Sequence, residues 1–318
     1  MKVTEHIEKA QGKPLFSFEI IPPLKGQHIQ SIFDNIDPLM EFNPPFIDVT
    51  YHREEYIYKE LDNGLLQKKV VRKRPGTVGI CAAIQNKYKV DAIPHILCGG
   101  FTQEDTENFL IDLDFLGIDN VVALRGDAVK TETYFKSEKN GHSYASELVQ
   151  QIGDLNKGKY LDNDLANSSA TDFCVGVAGY PEKHMEAPSL ESDLHFLKKK
   201  LKNGASYIVT QMFFDNQKYF SFVKKCREAG ITAPIIPGLK PIATMKQLNI
   251  IPQRFHVDLP DELVREVIKC KNNDAIRQVG IEWGIQQSKE LIASGVNVLH
   301  YYSMGKSDNI KAIADSVF

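Results

Sequence analysis

The sequence is poor in cysteine and lacks any long apolar run, and both features narrow the class of protein. Its five cysteines are scattered among 318 residues with no C-x-x-C pair. This pattern predicts reduced thiols in a cytoplasmic protein, and it signals neither a disulfide framework nor a cysteine-rich zinc site. No apolar segment approaches the roughly 18 residues of a membrane span. Residues 1–13 are polar and include two glutamates, unlike a signal or transit peptide.

An excess of charge of one sign is also missing. The chain has 38 basic and 41 acidic side chains, a formal net charge of -3. Such a balance creates no overall field for nucleic acid or anionic lipid, so neither is expected as a partner. What is present, 42% hydrophobic and 25% charged residues, is typical of a soluble globular protein.

Several common functional motifs are absent. The sequence has no G-x-G-x-x-G, no G-x-x-x-x-G-K-[ST], no H-E-x-x-H and no G-x-S-x-G. Rossmann, P-loop, zincin and α/β-hydrolase interpretations therefore lose their main support, and no metal site is predicted. A dinucleotide, if bound, needs something other than a Rossmann turn to hold it.

Short β-branched and aromatic runs alternate with longer amphipathic segments. The alternation predicts eight units of strand, helix and short turn, which favours a single (β/α)8 TIM barrel, an α/β fold, over an open doubly wound sheet. Without a linker or a composition break, residues 1–318 are interpreted as one domain. The strands are predicted at residues 16–21, 46–51, 92–98, 120–125, 173–180, 207–213, 235–239 and 296–302.

Helices are predicted between these strands, and several end in a glycine suited to the left-handed position after a helix. These are Gly204, Gly230 and Gly295. Residues 130–142, 161–171 and 250–261 are irregular and predict long loops. Residues 77–90 are interpreted as an extra hairpin or a miscounted strand. The main helices are predicted at residues 102–116, 144–155, 189–202, 218–229 and 274–293.

Polar side chains recur where the predicted strands end, which is where barrel enzymes build their active sites. Nearly every strand supplies an ionisable or amide group there, and together they are hard to explain as solvated strand ends. The groups are Glu19, Thr50, His95, Arg125-Gly126-Asp127, Tyr180 and Gln211.

Glu19 stands out because an apolar strand surrounds it and Pro22 and Pro23 end that strand. Burial raises the pKa of a carboxyl, so Glu19 is predicted to stay protonated near neutral pH, as a general acid must. The alternative is a structural ion pair with a barrel lysine or arginine. Asp127 is a second carboxylate for the same cavity, and Arg125 offers a fork for phosphate or carboxylate.

Asp193 and Lys200 lie seven residues apart, so they share a helix face. Because other lysines lie close by in the sequence, the simplest interpretation is a solvated basic face. A ligand site is the alternative.

In chain order, these motifs resemble the methylenetetrahydrofolate reductase family. Singly they are weak, but their order and spacing over about residues 16 to 302 are specific. The matching stretches are Phe18-Glu19-Ile20-Ile21-Pro22-Pro23, Val49-Thr50-Tyr51, Pro94-His95-Ile96-Leu97-Cys98, Ala123-Leu124-Arg125-Gly126-Asp127, Tyr144-Ala145-Ser146, Gly179-Tyr180-Pro181-Glu182, Thr210-Gln211-Met212-Phe213-Phe214-Asp215 and Ile235-Ile236-Pro237-Gly238.

The resemblance implies an FAD enzyme of the bacterial single-domain type without a regulatory domain. The flavin is reduced by NADH or NADPH and oxidised by 5,10-methylenetetrahydrofolate in a ping-pong cycle through flavin N5. The product, 5-methyltetrahydrofolate, supplies methyl groups for methionine synthesis, and a homo-oligomer is implied.

The resemblance also implies roles for individual residues. Glu19 is the general acid, and Asp127 lies between the flavin and the pterin. Gln211 and Gln247 contact the folate. The implied FAD contacts are Thr50, His95, Leu124, Arg125, Gly126, Asp127, Tyr144, Ala145, Tyr180, His184, Asp193 and Lys200.

The chain departs from the family pattern mainly on the nicotinamide side. An aromatic that stacks on the nicotinamide cofactor corresponds to Ile251 here, and an arginine common after the last strand is replaced in Ser303-Met304-Gly305-Lys306. Two alternatives therefore remain: a flavin barrel reduced by a partner protein, and a non-catalytic flavin- or folate-binding barrel. NADH and NADPH are not distinguished.

Overall fold

The computed structural model describes residues 1–128, 132–303 and 305–318. Within these ranges a parallel sheet curves into a nearly closed barrel. Its strands are β1 (Leu15–Ile20), β2 (Phe46–Val49), β5 (Asp91–Leu97), β6 (Asn120–Leu124), β7 (Cys174–Gly179), β8 (Ala205–Thr210), β9 (Ile235–Ile236), β10 (Gly238–Leu239) and β11 (Val298–Tyr302), while β3 (Glu55–Glu60) and β4 (Leu66–Val71) form a separate hairpin. The barrel order is β10-β11-β1-β2-β5-β6-β7-β8-β9.

The two ends of this sheet belong to one interrupted strand. Pro237 separates β9 from β10, and a proline has no N–H to donate to a neighbouring strand. Strand β9 pairs with β8, while β10 pairs with β11. Counting β9 and β10 as one gives eight barrel strands, each within a few residues of its predicted position, so the predicted (β/α)8 barrel is confirmed.

Helices cover the outside of the barrel between successive strands. Several begin with a side-chain cap, such as Thr102, which accepts from the backbone N–H of Asp105. Gly204, Gly230 and Gly295 follow helices with positive φ, as predicted. The helices are α1 (Val3–Lys9), α2 (Gln30–Ile36), α3 (Thr77–Tyr88), α4 (Gln103–Phe115), α5 (Ala145–Leu155), α6 (Leu190–Lys202), α7 (Asn216–Glu228), α8 (Gln247–Phe255), α9 (Asp261–Lys269), α10 (Asn273–Ala293) and α11 (Asp308–Val317), with a 3-10 turn at Asp37–Phe42.

Two predictions about the connections are wrong. Residues 77–90 are neither a hairpin nor a strand, because they form α3. The hairpin lies earlier, where β3 and β4 pair in antiparallel fashion around Asn63-Gly64, a dipeptide typical of tight hairpin turns. The predicted loop at residues 250–261 is helical in its first half, since α8 accommodates Pro252.

The other irregular segments agree with the prediction. Residues 161–171 form turns and coil. Residues 132–142 are also irregular, whereas Lys130 and Thr131, at the start of that predicted loop, lie outside the described residues. Among the described residues, no helix combines the length and hydrophobicity needed to cross a membrane.

The side chains that point outward from the strands are apolar. Those that point into the barrel become more polar towards the C-terminal ends of the strands. In β1, Phe16 and Phe18 pack with the outer core, while Ser17 and Glu19 alternate with them and face the barrel interior. At the N-terminal end of the barrel, Val3 of α1 is fully buried in one cluster with Phe46. Apolar side chains therefore close the N-terminal end of the barrel, whereas the interior near the C-terminal end is polar.

Candidate active site

Glu19 lies near the end of β1, where the barrel opens, and the residue is almost fully withdrawn from solvent at 8% exposure. Burial raises the pKa of its carboxyl to about 7. The His95 and Lys240 charges pull the pKa down, while Asp48 pushes it up. The net rise agrees with the prediction of a protonated carboxyl near neutral pH, and it shows that burial outweighs the nearby cations.

Glu19 belongs to a cluster with His95 of β5 and Asp48 of β2. The Nε2 atom of His95 is 3.7 Å from Glu19 Oε2 and 3.3 Å from Asp48 Oδ2. Burial opposes protonation of His95, yet its pKa is raised because it is hydrogen-bonded to Asp48 and lies near the negative charge of both carboxylates. Two carboxyl groups and one imidazole therefore share a buried cluster at the open end of the barrel.

Lys240 and Tyr302 complete the surroundings of Glu19. Lys240 directly follows β10 and is 9% exposed. Burial lowers the pKa of its amine to about 8, an effect that the Glu19 charge opposes. Tyr302 ends β11 and donates its hydroxyl to the carbonyl of Thr210 at 2.6 Å. Sequence reasoning missed both residues, although each lies at a strand end.

One layer deeper in the barrel, further polar groups meet. Ser17 Oγ is 2.9 Å from His300 Nδ1. Tyr207 enters this layer because Gly176 leaves room for its ring: a Cβ at Gly176 would lie 2.4 Å from Tyr207 Cζ. Asp48 Oδ1, His300 Nε2 and the Tyr207 hydroxyl are buried without a hydrogen-bond partner among the described residues.

The segment Arg125-Gly126-Asp127 follows β6 at the same end of the barrel. Both terminal nitrogens of Arg125 face the carboxylate of Glu186, one of them at 2.7 Å. Gly126 has φ +85°, and a Cβ there would press on Leu97 at 3.3 Å. Asp127 is exposed to solvent. The Arg125 guanidinium therefore already binds one carboxylate, that of Glu186, and it lies close in sequence to the solvent-exposed carboxylate of Asp127.

Asp193 and Lys200 of α6 are not part of a solvated basic face. Lys200 donates to the carbonyl of Ala178 in β7 at 2.6 Å. Burial lowers the pKa of its amine to about 8 against the attraction of Asp193. Asp193 accepts from the backbone N–H of His184 at 2.9 Å, whereas Lys199 is exposed to solvent.

The remaining predicted contacts occupy the same rim. His184 packs edge-on against Tyr180 with ring centroids 4.6 Å apart. Thr50 Oγ1 lies 3.2 Å from His52 Nε2. Leu124 ends β6, and Tyr144 and Ala145 form the start of α5.

Two predicted folate contacts already make local hydrogen bonds. Gln211 accepts from the backbone N–H of Met212 at 2.9 Å. Gln247 accepts from the backbone N–H of Ala243 at 2.7 Å and so stabilises the turn before α8.

The two positions where the chain departs from the family pattern on the nicotinamide side differ in exposure. Ile251 of α8 is 1% exposed within a side cluster of apolar residues. It presents no surface on which a cofactor could stack. Lys306 is exposed after the last strand, and Met304 lies outside the described residues.

Comparison with known proteins identifies related sequences and solved structures of similar fold. The sequence model of the methylenetetrahydrofolate reductase family matches residues 2–317. Methylenetetrahydrofolate reductase (NADH) 1 of Zea mays is 32% identical over 316 residues, 96% of this chain and 48% of that protein. The 5,10-methylenetetrahydrofolate reductase of Escherichia coli K12 is 28% identical and covers 99% of this chain and 94% of that protein.

Coverage differs among these relatives. The chain spans about half the length of the plant and yeast relatives it matches. Among solved structures, an uncharacterized Clostridium thermocellum protein described as binding two copies of 5-methyl-5,6,7,8-tetrahydrofolic acid superimposes with a TM-score of 0.60. That match covers 99% of this chain and 97% of the other at 14% identity, which shows a shared fold.

Proposed function

The chain belongs to the methylenetetrahydrofolate reductase family, and we propose that it reduces 5,10-methylenetetrahydrofolate to 5-methyltetrahydrofolate with NADH or NADPH. The product would supply methyl groups for methionine synthesis. The observation that carries the proposal is the Glu19 carboxyl, buried at the open end of the barrel with its pKa raised to about 7. A barrel that only bound its ligand would have no need of a buried proton donor.

Glu19 would act as the general acid. Opening the five-membered ring of the folate requires a proton on the departing ring nitrogen, and a carboxyl still protonated near neutral pH can donate it. His95 and Lys240 lie close enough to stabilise the carboxylate that remains, because both bring positive charge to it. Gln211 and Asp127 would hold the pterin edge from neighbouring strand ends.

The rim fits FAD in three respects. The Arg125 fork holds the Glu186 carboxylate with two nitrogens, which is the geometry that a phosphate also takes. Gly126 has the positive φ that brings backbone close to a ligand, and Lys200 is a half-buried amine beside Asp193. When bound, the flavin supplies the hydride relay between the nicotinamide cofactor and the folate. Thr50, His95, Tyr180 and His184 would hold it.

Two half-reactions test the proposal on the flavin-loaded protein. NADH or NADPH should bleach the flavin absorbance in stopped flow, and methylenetetrahydrofolate should restore it with 5-methyltetrahydrofolate as the product. If neither nicotinamide reduces the flavin while dithionite-reduced protein still converts the folate, the reductant is a partner protein, as the burial of Ile251 allows. A protein that binds folate without oxidising its flavin would contradict the proposed function.

A further inference from the structure

Asp48 is the most deeply buried carboxylate of the site cluster, and the proposed reaction does not use it directly. It lies in the middle of β2 at 2% exposure, paired in register with Glu19 of β1. Its Oδ2 is 3.3 Å from His95 Nε2, and the same nitrogen is 3.7 Å from Glu19 Oε2. Asp48 and Glu19 therefore compete for a single N–H of His95.

One ring N–H can point at only one of two carboxyl groups. An N–H directed at Glu19 would stabilise the Glu19 carboxylate and so favour loss of its proton. We propose that Asp48 is a positioning residue, which directs the His95 Nε2–H to itself and thereby keeps Glu19 protonated and ready to donate to the folate. The proposal rests on the proposed function, since it concerns the proton that Glu19 donates.

The direct effect of the Asp48 charge on Glu19 has the same sign as that of its hydrogen bond, whereas its support of a protonated His95 acts in the opposite direction. A second negative charge beside Glu19 disfavours ionisation of the Glu19 carboxyl. Other titratable groups also face this cluster: Lys240 after β10, His300 and Tyr302 of β11, Tyr207 of β8, Cys81 of α3, and His52 in the segment after β2. Substitution of Asp48 leaves these side chains in the protein, but it removes a charge that also acts on His300 and Tyr302.

Two variants separate the hydrogen bond from the charge. Asp48→Asn keeps an acceptor oxygen of the same shape but loses the charge, whereas Asp48→Ala loses both and frees the N–H to turn to Glu19. The rate of flavin oxidation by methylenetetrahydrofolate should fall as pH rises through the Glu19 pKa, with the midpoint lowered in Asp48→Asn and lowered further in Asp48→Ala. If the midpoint of the alanine variant lies one pH unit below that of wild type, the variant should be about tenfold slower at pH 8, with rates converging near pH 5.5.

Ser17→Ala is the matched control, because Ser17 is buried in the adjacent layer and contacts His300 rather than His95. Its midpoint should not move. If the Asp48 variants slow the reaction by the same factor at every pH, Asp48 has only a structural role and the proposal is overturned.

A second readout needs no turnover. The side-chain carboxyl of Glu19, labelled with 13C, should titrate at lower pH in both Asp48 variants of the holoenzyme than in wild type. An unmoved titration overturns the proposal even if wild type proves inactive on folate, and folate inactivity of wild type with a lowered titration overturns only the proposed function.

Discussion

Two acidic side chains at the open end of the barrel stand in opposite surroundings. Glu19 is buried beside His95 and Asp48, and its pKa is raised to about 7, whereas Asp127 is exposed on the rim. Burial thus separates a carboxyl that can donate a proton from one that faces water and incoming ligands. The roles that we propose, proton donation by Glu19 and pterin binding by Asp127, follow from this difference in burial.

The raised pKa of Glu19 also predicts how stability depends on pH. Between about pH 4.5 and about pH 7 the folded protein holds a proton that the unfolded chain releases, so the free energy of unfolding falls as pH rises through this window. At pH 8 the ionised group costs about 3 kcal/mol. Glu19→Gln should therefore be more stable than wild type at pH 8 by up to that amount, and nearly equal at pH 4.5.

Urea unfolding at the two pH values measures this difference. Equal effects of the substitution at pH 4.5 and pH 8 would contradict the burial argument.

At the scale of single elements, α6 carries both lysines that face solvent and one that is half-buried against the barrel. Lys199 is exposed to solvent, while Lys200 reaches the end of β7 and donates to Ala178. Burial of an amine is unfavourable unless a partner of opposite charge compensates it, and Asp193 alone supplies only part of that compensation. We propose that a phosphate of the cofactor supplies the rest of the negative charge that compensates the Lys200 amine.

Lys200→Met should weaken FAD binding by at least about tenfold, because a charge-assisted contact contributes about 1.5 kcal/mol or more. Lys199→Met is the matched control on the same helix and should leave the affinity unchanged. Titration of the apoprotein with FAD, followed by flavin fluorescence, measures both. Equal affinities in the two variants would remove Lys200 from the cofactor site.

The close contact between Gly176 of β7 and the Tyr207 ring predicts that a larger residue at position 176 destabilises the barrel. Gly176→Ala should destabilise the protein by about 1 to 3 kcal/mol, because the added methyl collides with the ring of the fully buried Tyr207. Gly79→Ala in α3 is the control, since nothing lies within 4 Å of its Cβ position, and alanine there should be neutral or stabilising. Thermal unfolding that ranks the two variants in the opposite order would contradict the description of the barrel interior.

At the scale of the whole molecule, the alternating strands and helices were predictable because buried parallel strands need β-branched runs and helices need the longer period. The β3–β4 hairpin was missed because its strands are exposed and rich in lysine, although Asn63-Gly64 marked its turn. Helix α8 was missed because Pro252 lacks an N–H donor, and such a residue usually ends a helix. The interpretation of the chain as one catalytic domain stays a prediction, as does the homo-oligomer.

The site residues at strand ends could be predicted because polar groups stand there in the sequence. A residue within a strand could not, because the sequence does not show whether its side chain points into the barrel. Asp48 lies inside the run Phe46-Ile47-Asp48-Val49, and its inward direction depends on the register that sets it beside Glu19. A carboxylate within a buried strand was the available signal. Lys240 directly follows the strand predicted at residues 235–239, so its position at a strand end was the signal that was overlooked.

The central claim is that Glu19 donates the proton that folate reduction requires, and one variant tests it most directly. Glu19→Gln has nearly the same shape but cannot act as an acid. In stopped flow it should retain FAD and reduce it with the nicotinamide cofactor at a rate near that of wild type, while oxidation of the reduced flavin by methylenetetrahydrofolate slows by several orders of magnitude. A variant that still reduces methylenetetrahydrofolate at close to the wild-type rate would contradict the account.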